Sequence, residues 1–397
     1  METHKNSSRP PREVALVMET TLTLSRNMLR GIRRYMSEHQ NWSVILETGI
    51  CAPAWLSSWQ GDGIISRSWG QEMVDMIGAK KLPTVEVRHS QTTHLLPFVG
   101  VDNRTLGSMV ARHFLEKGFR RFGCFAMAGE SFVIERRNYF EQHLGQHGFQ
   151  TDFYLYPDPG VQRPSASDQN DLVDWLHALP KPCGIFACSD RFGFTLLDVC
   201  RKAGIAVPEE IAVVGVGDDE SLCEMSSPPL SSVHFAAAKI GYQAATLLDH
   251  LMDGGKPPDE RVLIPPIGIN ARKSSDIVAV EDPAIARALR FIRERVSEGL
   301  SVDEVAAGAG IARRTLERRM RLAIGRTPQE ELLRVKLERA RILLAETALT
   351  LEEIAFRAGF NHMQYLSLVF RKTHGVTPGQ YRKSMQVPYP DANVANS

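Results

Sequence analysis

The sequence predicts an α/β region of two doubly wound parallel-sheet lobes, followed by an all-α domain with two helix-turn-helix units. Three observations carry this. Short β-rich apolar runs alternate with amphipathic helical segments from Glu13 to about Arg272, the β signal stops after a polar stretch ending at Pro283, and one helical motif beyond that point occurs twice. Alternation at such spacing builds βαβ units, whose parallel strands need helices on both faces.

The strand-like runs include residues 14–18 (VALVM), 63–65, 83–87, 98–101, 122–127, 184–188 and 211–216 (IAVVGV). Helical patterns at 25–37, 105–117, 135–147 and 192–203 lie between them. More strands occur than one compact sheet usually holds, so the region divides into two lobes. Residues 12–272 form this α/β region, 273–283 a linker and 284–386 the helical domain, with 1–11 and 387–397 read as disordered tails.

Charge follows the same division. The chain has 47 basic and 46 acidic residues, a net of +1, which alone argues against a nucleic-acid partner. Between Pro283 and Ser384, however, nineteen Lys or Arg face eleven Asp or Glu, so this segment carries +8 and the remainder −7. A basic module is joined to an acidic one.

Other function classes find no support. The six cysteines (Cys51, Cys124, Cys183, Cys188, Cys200, Cys223) form no C-x-x-C pair and sit mostly in apolar runs, which reads as buried reduced thiols. There is no signal-peptide core and no run of about 18 apolar residues, so the protein is expected in the cytoplasm, away from membrane. Gly215 and Gly217 follow a strand, but Glu220 holds the third glycine position of a dinucleotide loop. His143 and His147 are i, i+4 without the neighbouring Glu of a zinc-protease helix, and the 129–131 run (GES) lacks the closing Gly of a nucleophile elbow. No enzyme, no metal and no cofactor is expected.

The duplicated motif reads SVDEVAAGAGI at 301–311 and TLEEIAFRAGF at 350–360, a repeat at 49 residues. Each copy opens with Ser or Thr followed three residues later by Glu, a capping box. Each then places a small Ala (Ala306, Ala355) four residues before a Gly (Gly310, Gly359). Ala lets a second helix cross closely and Gly takes the turn conformation that β-carbons disfavour, as a helix-turn-helix requires. The second helices are seated by Leu316 with Met320 and by Leu366 with Phe370. A helical pattern from 329 to 346 joins the copies and can hold them one duplex turn, about 34 Å, apart. The residues placed to meet double-stranded DNA are Arg313, Arg314, Glu317 and Arg318 in the first copy, and His362, Met363, Gln364 and Ser367 in the second. Arg forks onto guanine, Glu accepts from cytosine and Gln suits adenine, while any single Arg is better matched to phosphate.

On these residues, and above all on Gly359-Phe360, Phe370-Arg371-Lys372, the GVTP run at 375–378 and Tyr381-Arg382, the helical domain resembles the AraC/XylS family. That resemblance implies a transcription regulator, usually an activator, working with RNA polymerase. The α/β region resembles the periplasmic-binding-protein-like sensor of the lactose-repressor family through VDNRTLG at 101–107, ERR at 135–137, CSD at 188–190, IAVVGVGDD at 211–219 and PPLSSV at 228–233. The order of the two domains resembles the xylose-operon regulator family, which implies a homodimer and a sugar effector, xylose or a related one, bound between the lobes. By motif position Arg137 matches that family's sugar-contacting Arg, and Ser189 and Asp190 match the next strand end. Asp190 reads equally well as a helix N-cap. Gly217 stands where relatives carry an Asp that grips hydroxyls, with Asp218 one residue later, and His234 and Phe235 stand at another ligand position. Glu19, Thr20 and Ser25, after the first strand, and Arg88 are further effector candidates. The departure at Gly217 leaves the effector open to another small molecule or none.

Overall fold

The computed structural model describes residues 11–39, 42–49, 53–68, 70–88, 96–127, 132–157, 165–277 and 282–385. The expected tails, Cys51 and the 129–131 run lie outside these residues, Pro11 excepted. The described residues divide into two compact units, one of the residues to Val101 with Ala237–Ile264 and one of Asp102–Ala236 with Pro265–Gln386.

Along the chain, the first unit begins with β1 (Arg12–Val17), α1 (Thr23–His39), β2 (Trp42–Glu47), α2 (Ala54–Ser58), β3 (Gly63–Ser66), α3 (Gly70–Ala79), β4 (Thr84–Glu86) and β5 (Val99–Val101). Its sheet runs β2-β1-β3-β4, all parallel, with Val14 opposite Val44 and Gly63. Ala15, Val17 and Ile64 pack beneath Leu56, Met73 and Ile77.

The chain then builds most of the second unit: α4 (Asn103–Glu116), β6 (Arg121–Met127), α5 (Phe132–Gln146), β7 (Thr151–Tyr156), α6 (Ala166–Ala178), β8 (Cys183–Ala187), α7 (Asp190–Lys202), β9 (Ile211–Val216), α8 (Glu220–Met225) and β10 (Ser231–His234). It returns to the first unit for α9 (Ala237–Met252) and β11 (Val262–Ile264), which pairs with β5. There Asp249 of α9 accepts from Arg12 (2.9 Å) and Tyr35 (2.6 Å). Finally β12 (Gly268–Asn270) joins the second sheet, whose order is β12-β10-β9-β8-β6-β7 with only β12 antiparallel. Strands β8 and β9 are buried along their whole length, which is why they read as continuous apolar runs. Cys124, Cys183, Cys188, Cys200 and Cys223 are buried free thiols, as the sequence suggested.

The remaining helices are α10 (Pro283–Arg295), α11 (Val302–Ala309), α12 (Arg313–Ile324), α13 (Pro328–Glu346), α14 (Leu351–Arg357), α15 (Met363–His374) and α16 (Pro378–Met385). Both expected capping boxes form, Ser301 with Glu304 and Thr350 with Glu353. Each helix-turn-helix has its own core: Ile285, Leu289, Val305, Leu316 and Met320 in the first, and Leu337, Ile354, Leu366 and Phe370 in the second. The halves touch at Gly359, whose φ is +83° and where an added Cβ would fall 1.9 Å from the Val296 carbonyl oxygen. No L side chain fits that contact without displacing backbone.

Contact binds the helical domain to the second lobe rather than leaving it on a free tether beyond Pro283. Arg334 of α13 bridges Glu116 of α4 and Glu331, each at 2.7 Å, and Arg326 joins Glu331 at 3.0 Å. Arg293 reaches Asp276 at 3.4 Å. Burial pushes the Glu116 carboxyl up, while the Arg334 and Arg326 charges overcome burial at Glu331 and hold it down.

Candidate functional site

The two second helices, α12 and α15, present the DNA-facing candidates. Leu316, Met320, Leu366 and Phe370 are all fully buried, so the intended seating of both helices holds. Arg313 and Arg314 open α12 and are exposed. Arg313 is committed to Glu317 (3.0 Å) and Asp303 (3.1 Å). Exposed Arg314 and Arg318 pair with no carboxylate among the described residues, which leaves them available to phosphate or guanine. On α15, His362 occupies the N-cap position and is exposed with Gln364; Met363 is half-buried against the second core, and Ser367 is half-buried. Sequence reasoning passed over Tyr365 and Leu368, which lie exposed beside Gln364 (48% and 68%). Their signal was available as apolar residues off the Leu366/Phe370 side, a chemistry suited to thymine methyls.

In the first unit, polar side chains collect at the C-terminal ends of the strands, where ligands of such folds bind. Glu19 is buried, accepts from Ser25 (2.5 Å) and pairs with Arg67 at 2.8 Å. The Thr20 carbonyl caps the Arg26 guanidinium. Arg88 donates to the Ser68 carbonyl, and its amide to Glu86. Buried Glu86 also receives two bonds from Ser68, yet burial dominates and raises its pKa to about 7. Arg67, Ser68 and Glu86 were not among the sequence candidates.

In the second unit, Ser189 is the N-cap of α7, accepting from the Phe192 amide. Asp190 is the residue after the cap: it is buried, and it accepts from Ser232 Oγ (2.5 Å) and the Asp219 amide (2.7 Å). The N-cap expectation for Asp190 does not hold, because Ser189 takes that place; the Asp190 carboxylate instead ties three strand ends together. Asp218 has φ +51° and holds Arg272 (2.8 Å), Asn270 (2.6 Å) and His234 (3.0 Å). Burial opposes its ionisation, but the His234 hydrogen bond and the Arg272 charge prevail and keep its pKa below the usual range. Its carboxylate is therefore engaged within the lobe. Gly217 has φ +130°, and a Cβ there would lie 3.0 Å from Asp190 Oδ2, so an Asp at this position is both strained and crowded by like charge.

The two adjacent arginines of the ERR run lie in different surroundings. Arg137 pairs with Glu141 at 2.7 Å and lies over the Phe153 ring, 36% exposed, toward the outer strand β7. Arg136 is the buried one, donating to Asn103 Oδ1 (3.0 Å) and the Cys188 carbonyl, with the Phe132 ring at 4.4 Å and that of buried Phe235 at 5.8 Å. Val133, Phe140 and Leu144 share its inward face of α5 and set that phase. The His143 and His147 rings lie tilted at 35° with centroids 5.0 Å apart, and no group of three metal-ligating side chains occurs among the described residues.

Burial raises the Asp190 pKa to about 7, well above an unfolded Asp. The folded state then binds the extra proton between about pH 4 and 7, so this group's contribution to stability falls as pH rises through that window. Asp190→Asn keeps the acceptor for Asp219 and lets the Ser232 hydroxyl turn to accept. Urea denaturation at pH 5, 6.5 and 8 should show the variant gaining on the parent as pH rises; a constant gap contradicts the assignment.

Comparison with known proteins agrees with this architecture. Residues 111–275 match a periplasmic binding protein-like domain and residues 305–384 a helix-turn-helix domain. The xylose operon regulatory protein of Escherichia coli K12 is 31% identical over 93% of this chain and 96% of its own length. That of Haemophilus influenzae is 30% identical over 93% and 98%. A solved structure of the xylose-binding transcription activator xylR superposes with a TM-score of 0.59 at 30% identity, covering 94% of this chain and 98% of that one. No helix among the described residues is long and apolar enough to cross a membrane. With both domains, their order and nearly the full length in common, this chain belongs to the family of xylose operon regulatory proteins.

Proposed function

We propose that this protein is a cytoplasmic, non-enzymatic activator of sugar-catabolic genes that binds promoter DNA as a homodimer, works with RNA polymerase and responds to xylose or a related sugar. The observation that carries the DNA reading is the pair of separately cored helix-turn-helix units joined by α13, with Arg314, Arg318, His362 and Gln364 exposed on their second helices. The sugar reading is supported by the Arg136, Asp190 and Phe235 group at the strand ends of the second lobe and by the names of the relatives. In the first lobe, Glu19, Ser25, Arg67 and Arg88 supply matching polar chemistry. Arg forks and buried carboxylates bind hydroxyls, and aromatic rings cover sugar faces.

A related reading has the same architecture answering to a different effector. Gly217 favours it, because the hydroxyl-gripping Asp is absent and Asp218 is engaged by three partners. One experiment addresses both. Nuclease protection of the promoter by the full chain is expected to extend or tighten with xylose, and the Arg314→Ala, Arg318→Ala double variant to weaken it at least tenfold with a shallower salt dependence. Protection that no pentose alters excludes the xylose reading, and protection equal in the double variant removes α12 from the DNA surface.

A further inference from the structure

The helical domain contains a cleft of about 460 Å³ between its two halves, lined by Ser301, Arg313, Lys336, Phe360, Asn361 and His362 among others. Arg313 is the first residue of α12 and His362 the N-cap of α15, so the rim connects the starts of both second helices. Lys336, on α13, is the charge in this cleft that base reading leaves unused. Its ammonium is 5.9 Å from the Phe360 ring centroid, and its pKa is lowered by burial alone. No carboxylate among the described residues pairs with it, and the acid in the cleft, Asp303, is taken by Arg313 at 3.1 Å. Along α13 the residues that reach the sensor lobe include Arg334, paired with Glu116; Glu338, Arg341 and Ile342, beside Gly268; and Glu346, 3.5 Å from His234. Lys336 is two residues from both Arg334 and Glu338, a rotation of about 200° from each, and so lies on the opposite side of the helix.

A cation drawn partly out of water without a counter-charge is unfavourable until an anion reaches it. When two recognition helices enter successive major grooves, the sugar-phosphate strand between them must cross the middle of the domain. We infer that this cleft seats a backbone phosphodiester of that intervening strand, with Lys336 as its principal cation and the exposed Asn361 and His362 at its mouth. The inference rests on the DNA reading and adds a contact indifferent to sequence, since phosphates carry none. Its role is to fix the register of both units on the duplex at one point.

The test uses the full chain and a 30-base-pair duplex of arbitrary sequence, titrated over a range of KCl concentrations. Lys336→Met keeps the apolar stem over Phe360; it should lower the log–log salt slope by about one and weaken binding about 3- to 10-fold at 0.1 M KCl, equally on unrelated sequences. Lys336→Arg should retain the slope. Unchanged slope and affinity in Lys336→Met overturn the seat, whereas failure of the unsubstituted chain to bind any duplex overturns the DNA reading itself. A measurement free of folding effects is acetylation of the unsubstituted protein read by mass spectrometry. Labelling of Lys336 should slow at least fivefold with duplex present; an unchanged rate overturns the proposal as well.

Discussion

Replacing Gly359 with Ala is expected to destabilise the helical domain by about 3–5 kcal/mol and to abolish promoter binding. Two costs combine. At φ +83° a β-carbon is disfavoured by about 1 kcal/mol, and here it also overlaps the Val296 carbonyl at 1.9 Å. That carbonyl belongs to the turn after α10, part of the first half, so relief requires the two halves to separate. Gly375→Ala is the control: its φ is +76°, but nothing lies within 4 Å of the added carbon, so only the first cost of about 1 kcal/mol applies. Urea denaturation of the full chain, followed by helical signal, distinguishes them. Equal losses in both variants would mean that the halves do not meet at Gly359.

If the proposed sugar reading holds, xylose raises the melting temperature, and Arg136→Ala is expected to eliminate that rise while Arg137→Ala preserves it. At 100 times its dissociation constant a ligand adds about 2.7 kcal/mol, so the difference is easily read. Without ligand, Arg136→Ala leaves Asn103 Oδ1 and the Cys188 carbonyl short of a donor in a buried setting, at about 2–4 kcal/mol. Arg137→Ala removes a half-exposed pair with Glu141 and should cost under about 1 kcal/mol. The reverse pattern, with the sugar response lost only in Arg137→Ala, would restore the assignment made from motif position.

What could be read from sequence differs between the two modules because their determinants differ in range. The helix-turn-helix units are specified locally: Ser301 and Glu304, Ala306 and Gly310, Leu316 and Met320 are all within four residues of their partners. In the sensor the decisive partners are far apart in sequence, such as Asp190 with Ser232 and Asp218 with Asn270 and Arg272. Arg136 and Arg137 are adjacent and chemically alike; only the spacing to Phe140 and Leu144 separates the buried one from the half-exposed one. Edge strands β2 and β7 gave a weak signal because only one residue of the six in each is buried. The contact of Arg334 with Glu116 had no sequence signature, since an i, i+3 partner in Glu331 already accounts for the Arg.

The return of the chain to the first unit has a consequence for its birth. A ribosome delivers β1 to β5 and then the 135 residues from Asp102 to Ala236 before α9 emerges. Until then β5 lacks the strand it pairs with, and Arg12 and Tyr35 lack Asp249. The second lobe, whose segments arrive nearly in one run, has the opportunity to fold first, although it comes later in the sequence. Nascent protein therefore passes through a stage in which its N-terminal apolar surface waits uncovered, the stage at which chaperones and proteases compete for it.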